Sequence, residues 1–186
     1  MGKHRHPGAL YRIGLAIALL CGIALIGDRA EADRIAVIQV RLPKLANPYC
    51  GVPTHMFANL PEQATSLLDK GGAPMIILSS VIVADDPAYA KFLMAHECCH
   101  HALGHLRHNE GLGHTGLQPF YYIRPKLRQM ELDADSCAVE RLKLSGEAEA
   151  ISIARKHMFD FGDKPTGAYY PTGIERAENI QRIADR

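Results

Sequence analysis

His96-Glu97-Cys98-Cys99-His100 lies in the middle of a segment whose residues favour an α-helix. Residues i and i+4 share one face of a helix, so both imidazoles of this H-E-x-x-H motif can reach the same metal ion. Glu97 then lies at the edge of that face, where a carboxylate can act as a base toward water. The stretch therefore predicts a helix with two metal ligands and a candidate catalytic carboxylate.

A second motif supplies candidates for the rest of the site. In Glu131-Leu132-Asp133-Ala134-Asp135 the first and last residues are spaced to share one helix face. A catalytic zinc site takes three protein ligands and keeps one position open, so we predict one Zn²⁺ per chain, bound by His96, His100 and Glu131. Asp135 can accept a hydrogen bond from the non-ligating nitrogen of His96 and orient its ring.

The N-terminal region has the three-part pattern of a secretory signal peptide. Basic residues precede an uncharged, mostly apolar stretch at positions 13–27, and Ala30-Glu31-Ala32 forms an A-x-A cleavage signal. The apolar stretch is shorter than the roughly 20 residues that a membrane span needs. We predict a signal peptide over residues 1–32 and a periplasmic or secreted domain over 33–186. The alternative is a domain anchored by an uncleaved N-terminal segment.

Composition limits the classes of partner. The chain has 186 residues, 47% of them hydrophobic and 22% charged, which is typical of one globular domain. Its formal net charge is +1, with no basic run. Charge therefore gives no support for nucleic-acid binding.

Four cysteines follow the predicted signal peptide: Cys50, Cys98, Cys99 and Cys137. An exported protein can form disulfides. Cys98 and Cys99 are neighbours on a helix and are not expected to pair with each other. Cys50, in a loop rich in Pro and Gly, is the expected partner for one of the others. Cys99 and Cys137 are expected to be small buried core residues.

The remaining patterns predict an α+β fold, in which a small sheet and an active-site helix pack against a helical C-terminal part. Strands are predicted at 34–42 and 75–83, and helices at 61–70, 87–109, 125–144, 147–159 and 172–184. Glycines at 111, 113 and 116 predict a loop that covers the site. The strand at 75–83 is expected to offer an exposed edge to an extended peptide.

The two motifs together resemble those of the gluzincin metallopeptidases, most closely the HtpX-like group that also includes CAAX prenyl proteases and bacterial envelope peptidases. The matching segments are 95–105 and 131–135. The resemblance implies a zincin-like fold, zinc bound by the two motif histidines and Glu131, and Glu97 as the catalytic base.

That family also tends to carry a His-Pro segment followed by an Arg. Here Pro171 and Arg176 match, and Tyr170 stands in place of the His. The resemblance places this segment near the metal, with Arg176 supporting the ligands. Tyr170 is then the first candidate for a hydrogen-bond donor to a developing oxyanion. The other candidates for that donor are Tyr121, Tyr122 and His157.

The sequence thus predicts a secreted or periplasmic zinc-dependent endopeptidase that acts on peptides or unfolded proteins. The family analogy adds proximity to a membrane and a role in envelope protein quality control. One alternative is a non-catalytic zinc-binding or chaperone-like protein with a peptidase-like fold, and another is a metal-storage or sensing protein. The intact Glu97 favours the enzyme, because a pure binding site needs no base there.

Overall fold

A computed structural model describes residues 42–106, 120–167 and 169–186, without the side chains of residues 120–122. The predicted signal peptide, the glycine-rich loop and all but the last residue of the predicted strand at 34–42 lie outside these ranges. From Pro43 onward the described residues form one unit that combines a small sheet with several helices. No described helix combines the length and the apolar character that a membrane span requires.

Four strands and five helices lie within the described residues. The strands are β1 (Lys44–Leu45), β2 (Thr54–Phe57), β3 (Ala64–Leu68) and β4 (Pro74–Ser79). The helices are α1 (Ser80–Asp85), α2 (Pro87–Ala102), α3 (Phe120–Leu144), α4 (Ala148–Phe161) and α5 (Gly173–Ala184).

The four strands form one sheet in the order β1-β2-β4-β3. Strand β4 pairs in parallel with β2 and antiparallel with β3, and its Ile76 and Leu78 are fully buried. The prediction that this strand offers an exposed edge is therefore wrong, because β4 has a neighbour on each side. The edge of the sheet next to β4 is β3.

Two predicted elements differ from the structure around this hairpin. The predicted helix at 61–70 is wrong, since residues 64–68 form β3 and the Asp69 carboxylate accepts hydrogen bonds from the turn amides of Gly71 and Ala73. The predicted strand at 75–83 is correct only as far as Ser79, after which α1 begins. Local propensity is a weak guide in both places. Pairing with β4 decides the conformation of residues 64–68, and packing against α2 decides that of α1.

Helix α2 begins where the sequence predicts. Pro87 occupies its first turn, and the Asp86 side chain accepts a hydrogen bond of 2.9 Å from the backbone amide of Tyr89. The helix ends at Ala102 and not near residue 109, because Gly104 takes a left-handed conformation (φ 71°) that L-residues rarely adopt.

The core surrounds α2. Residues 92–99 of this helix are all buried, and the helix packs against β3, β4, α3 and α4. Helix α3 begins earlier than predicted and contains Pro125 in its second turn, where the missing amide removes one i→i−4 hydrogen bond of the helix. The predicted start of α5 is confirmed: Thr172 and Glu175 form a capping box.

All four cysteines of the described unit are bonded in two disulfides, Cys50–Cys98 and Cys99–Cys137. The expected pairing of Cys50 with one of the others is confirmed. Cys99 is a buried core residue, as expected, and Cys137 is partly buried. The two are bonded to each other, because α2 and α3 pack closely enough to place their Cα atoms 6.0 Å apart. Two disulfides indicate an oxidising, exported environment.

Candidate metal centre

Three side chains from two helices converge on one point. His96 and His100 project from the same face of α2, one turn apart, and their Nε2 atoms are 3.0 Å apart. Glu131 approaches from α3, with Oε2 3.4 Å from Nε2 of His96 and Oε1 3.4 Å from Nε2 of His100. One ligand atom from each lies within 4.8 Å of the other two, so the three can bind one metal ion.

A buried ion pair supports these side chains from behind. Asp135 is fully buried, and its Oδ1 is 2.9 Å from Nδ1 of His96, a short contact with imperfect hydrogen-bond alignment. Arg176 donates two hydrogen bonds to the Asp135 carboxylate, of 2.6 and 2.8 Å. Its third nitrogen lies 3.6 Å from Glu131 and 3.3 Å from the hydroxyl of Thr166. Asp135 and Arg176, which were both predicted to lie beside the ligands, therefore form a bidentate ion pair there.

The electrostatics of this cluster favour a bound cation. Glu97, Glu131 and Asp135 bring three buried carboxyl groups together, and Arg176 supplies one buried guanidinium. Burial lowers the pKa of His96, but Asp135 and Glu131 outweigh it and raise that pKa to about 10. Burial and the neighbouring His96 lower the pKa of His100 to about 3. Two imidazole nitrogens and a carboxylate in a site with excess negative charge fit a divalent metal ion.

Glu97 lies next to the three candidate ligands without being one of them. The residue is 7% exposed, and the side chain of Ser66 on β3 lies beside its carboxylate. Burial raises the pKa of Glu97, although His96 opposes this. A buried carboxylate with a raised pKa is suited to accept a proton and return it.

A cavity of about 610 Å³ opens in front of these residues. One wall is formed by residues 61–66, which include the first half of β3, and another by residues of α2. Five apolar side chains line part of the remainder: Leu106, Leu127, Met130, Met158 and Phe161. The edge strand, the candidate base and the candidate ligands therefore all face one cavity.

Tyr170 also lines this cavity, from the loop between α4 and α5. The loop is a narrow hairpin in which the amide of Thr166 donates to the carbonyl of Pro171. Burial, together with Glu131 and Glu97, raises the pKa of Tyr170 to about 12, so its phenol stays protonated as a donor. A Cβ atom at Gly167 would come within 2.5 Å of the Tyr170 ring, so only glycine allows this ring position.

The other predicted donors are placed differently. His157 stacks on the ring of Tyr89 at 4.1 Å, and its Nε2 is 2.8 Å from Asp86. His157 thus contacts Asp86, the N-cap residue of α2, and it does not line the cavity. The side chains of Tyr121 and Tyr122 lie outside the described part of the chain.

Sequence reasoning missed three polar residues of this site. Ser66 was missed because its segment was predicted to be a helix, and Thr166 was missed because it lies in a loop without a motif. Tyr89 is 2% exposed, lines the cavity and has its pKa raised to about 12 by burial. A signal for Tyr89 was present, because it precedes His96 by seven positions, or about two helical turns.

Comparisons of the chain with protein-family models, with curated proteins and with solved structures found no match. The assignment of function therefore depends on the two motifs and on the geometry of this site.

Proposed function

We propose that this protein is an exported zinc-dependent endopeptidase with a zincin-like fold, acting in the quality control of envelope proteins. The observation that carries the proposal is the position of Glu97. It is buried beside two histidines and a glutamate that can bind metal, and it faces the same cavity. A site built only to store or sense a metal has no use for this fourth, non-ligating carboxylate.

His96, His100 and Glu131 would hold the zinc ion. When bound, zinc supplies Lewis acidity, which polarises a carbonyl group and makes water more acidic. Asp135 keeps the proton of His96 on Nδ1, so that Nε2 is free to act as a ligand. Arg176 in turn fixes Asp135 through two hydrogen bonds.

Glu97 is the residue that moves protons. Its carboxylate accepts a proton from the water that attacks the peptide carbonyl carbon, and the same proton then passes to the leaving amine as the C–N bond breaks. The raised pKa of Glu97 suits both steps, because the group must bind the proton and release it again. The Ser66 side chain beside it would hold the carboxylate in place.

The Tyr170 phenol is suited to donate a hydrogen bond to the oxyanion that develops on the former carbonyl oxygen. Substrate fits the site as an extended peptide, because within the described residues β3 has a sheet neighbour only on its β4 side. A peptide that adds to β3 as a strand would pass in front of Glu97. The apolar wall of the cavity favours a hydrophobic side chain next to the scissile bond.

The test is digestion of a peptide library by the wild-type protein and by Glu97→Gln, with zinc measured in both. We expect about one zinc per chain in each protein and cleavage by the wild type alone. Glu97→Gln keeps the shape and removes the base, and equal zinc contents would show that its loss of activity does not come from lost metal. Equal cleavage by the two proteins would disprove the mechanism, and no cleavage by either would favour the non-catalytic zinc-binding alternative.

A further inference from the structure

His105 lies against the back of the candidate ligand His100. Their Nδ1 atoms are 3.0 Å apart, and their rings meet edge to face with centroids 5.0 Å apart. His105 is 6% exposed, so this contact is shielded from water. The other ring nitrogen of His100 faces Glu131. Both nitrogens of His100 therefore have a defined protein neighbour.

The chain reaches this arrangement by ending a helix. In an uninterrupted helix His105 would lie about 140° around the axis from His100, on a different face. Helix α2 stops at Ala102, and Gly104 takes φ 71°, which turns the chain back. His105 and Leu106 are helical again, and His105 then lies beside the ring five positions earlier.

Hydrogen-bond chemistry restricts the tautomers of this pair. Two Nδ1 atoms that face each other can share one proton, so one ring donates and the other accepts. A histidine that binds metal through Nε2 must carry its proton on Nδ1. When His100 is a ligand, its Nδ1–H is therefore the donor. His105 must then accept at Nδ1 and carry its own proton on Nε2.

We propose that His105 is a positioning residue for the metal centre: it holds His100 in the tautomer and ring orientation that present Nε2 to the metal. It does for His100 what Asp135 does for His96. A neutral imidazole performs this task without adding a further negative charge to a site that already contains three carboxyl groups. The proposal rests on the metal site of the proposed function and does not depend on hydrolysis.

The first test measures zinc affinity by competition with a chromophoric chelator, using Zn²⁺ and the full chain. His105→Leu removes the acceptor, and we expect its affinity to fall about 10–100-fold. His105→Asn keeps an acceptor close to the Nδ1 position, and its affinity should stay within a few-fold of wild type. His101→Leu is the matched control: His101 neighbours the ligand on the same helix, but its Nε2 faces the carbonyl of Met75. Its affinity should match the wild type.

The second test needs no variant. Long-range ¹H–¹⁵N correlation spectra of the zinc-loaded protein should show His100 protonated on Nδ1 and His105 protonated on Nε2. His105 protonated on Nδ1 would overturn the proposal, as would full zinc affinity in a folded His105→Leu protein. A protein that shows the expected dependence on residue 105 but cleaves no peptide would leave this proposal standing and would refute the peptidase.

Discussion

Cys99 and Cys137 join the two helices that carry the candidate metal ligands. Cys99 directly precedes His100 on α2, and Cys137 follows Asp135 by two positions on α3. The crosslink therefore lies within two residues of the candidate ligand His100 on one side and of Asp135, which contacts His96, on the other. It holds α2 and α3 at the separation at which Glu131 meets both histidines.

Removing this crosslink with Cys99→Ala and Cys137→Ala together should weaken both the fold and the metal site. The free energy of unfolding should fall by about 2–5 kcal/mol, and zinc affinity should fall because α3 can then move relative to α2. Denaturant titration and chelator competition measure the two effects. Cys50→Ala with Cys98→Ala is the matched control, since that disulfide ties α2 to a loop without a ligand. Equal losses of zinc affinity in both double variants would contradict a specific role of the Cys99–Cys137 disulfide in the metal site.

Replacing Arg176 should cost more stability than replacing another arginine of the same region. Arg176→Met leaves the fully buried Asp135 without its guanidinium partner, so we expect a loss of about 3–5 kcal/mol in the free energy of unfolding. Arg128→Met removes a more exposed contact with Glu175 and should cost about 1 kcal/mol. Urea unfolding of both variants gives the comparison. Similar losses of unfolding free energy in the two proteins would show that the buried pair of Arg176 and Asp135 does not stabilise the fold more than a surface contact does.

Gly167→Ala should impair catalysis without removing the metal. The new methyl group would collide with the ring of Tyr170, so the phenol must leave its place over the cavity. On a substrate found by library digestion, turnover should approach that of Tyr170→Phe, about 10²–10³-fold below wild type. Gly51→Ala is the control, since a methyl group there meets nothing within 4 Å. Unchanged turnover in Gly167→Ala would exclude Tyr170 as the oxyanion donor.

Asp86 should make the stability of α2 depend on pH. His157 and the amide of Tyr89 lower the pKa of Asp86. A carboxylate whose pKa is lowered by folding stabilises the protein above its unfolded pKa of about 4 and loses that effect as pH falls through the folded value. Asp86→Ala should therefore cost about 1 kcal/mol at pH 7, mainly through the lost helix cap.

The control for this effect is Asp86→Asn, which keeps an acceptor for the cap and loses the charge. The difference in unfolding free energy between wild type and Asp86→Asn should be largest near pH 7 and should shrink toward pH 3. Urea unfolding at several pH values measures it. A difference that does not change with pH would show that the charge on Asp86 contributes nothing.

Local spacing was sufficient to predict the centre of the site. His96, Glu97 and His100 share a helix face because a helix repeats every 3.6 residues, and Glu131 and Asp135 follow the same rule. The helix start at Pro87 and the capping box at Thr172 were also predictable, since each is a contact between neighbours in the chain. That the two motifs meet at one metal was inferred from the ligands that zinc needs. The distances among His96, His100 and Glu131 support this inference.

Tertiary structure decided the rest, because the contacts join residues that no local rule connects. Strand β3 exists through its pairing with β4, and that pairing places Ser66 beside Glu97. The partner of Cys99 depends on the packing of α2 against α3, 38 residues away along the chain. By itself, then, the sequence determined which side chains could bind a metal, since helical periodicity is a local property. Which side chains support them was decided by how the elements pack, since burial and long-range pairing arise only in the assembled fold.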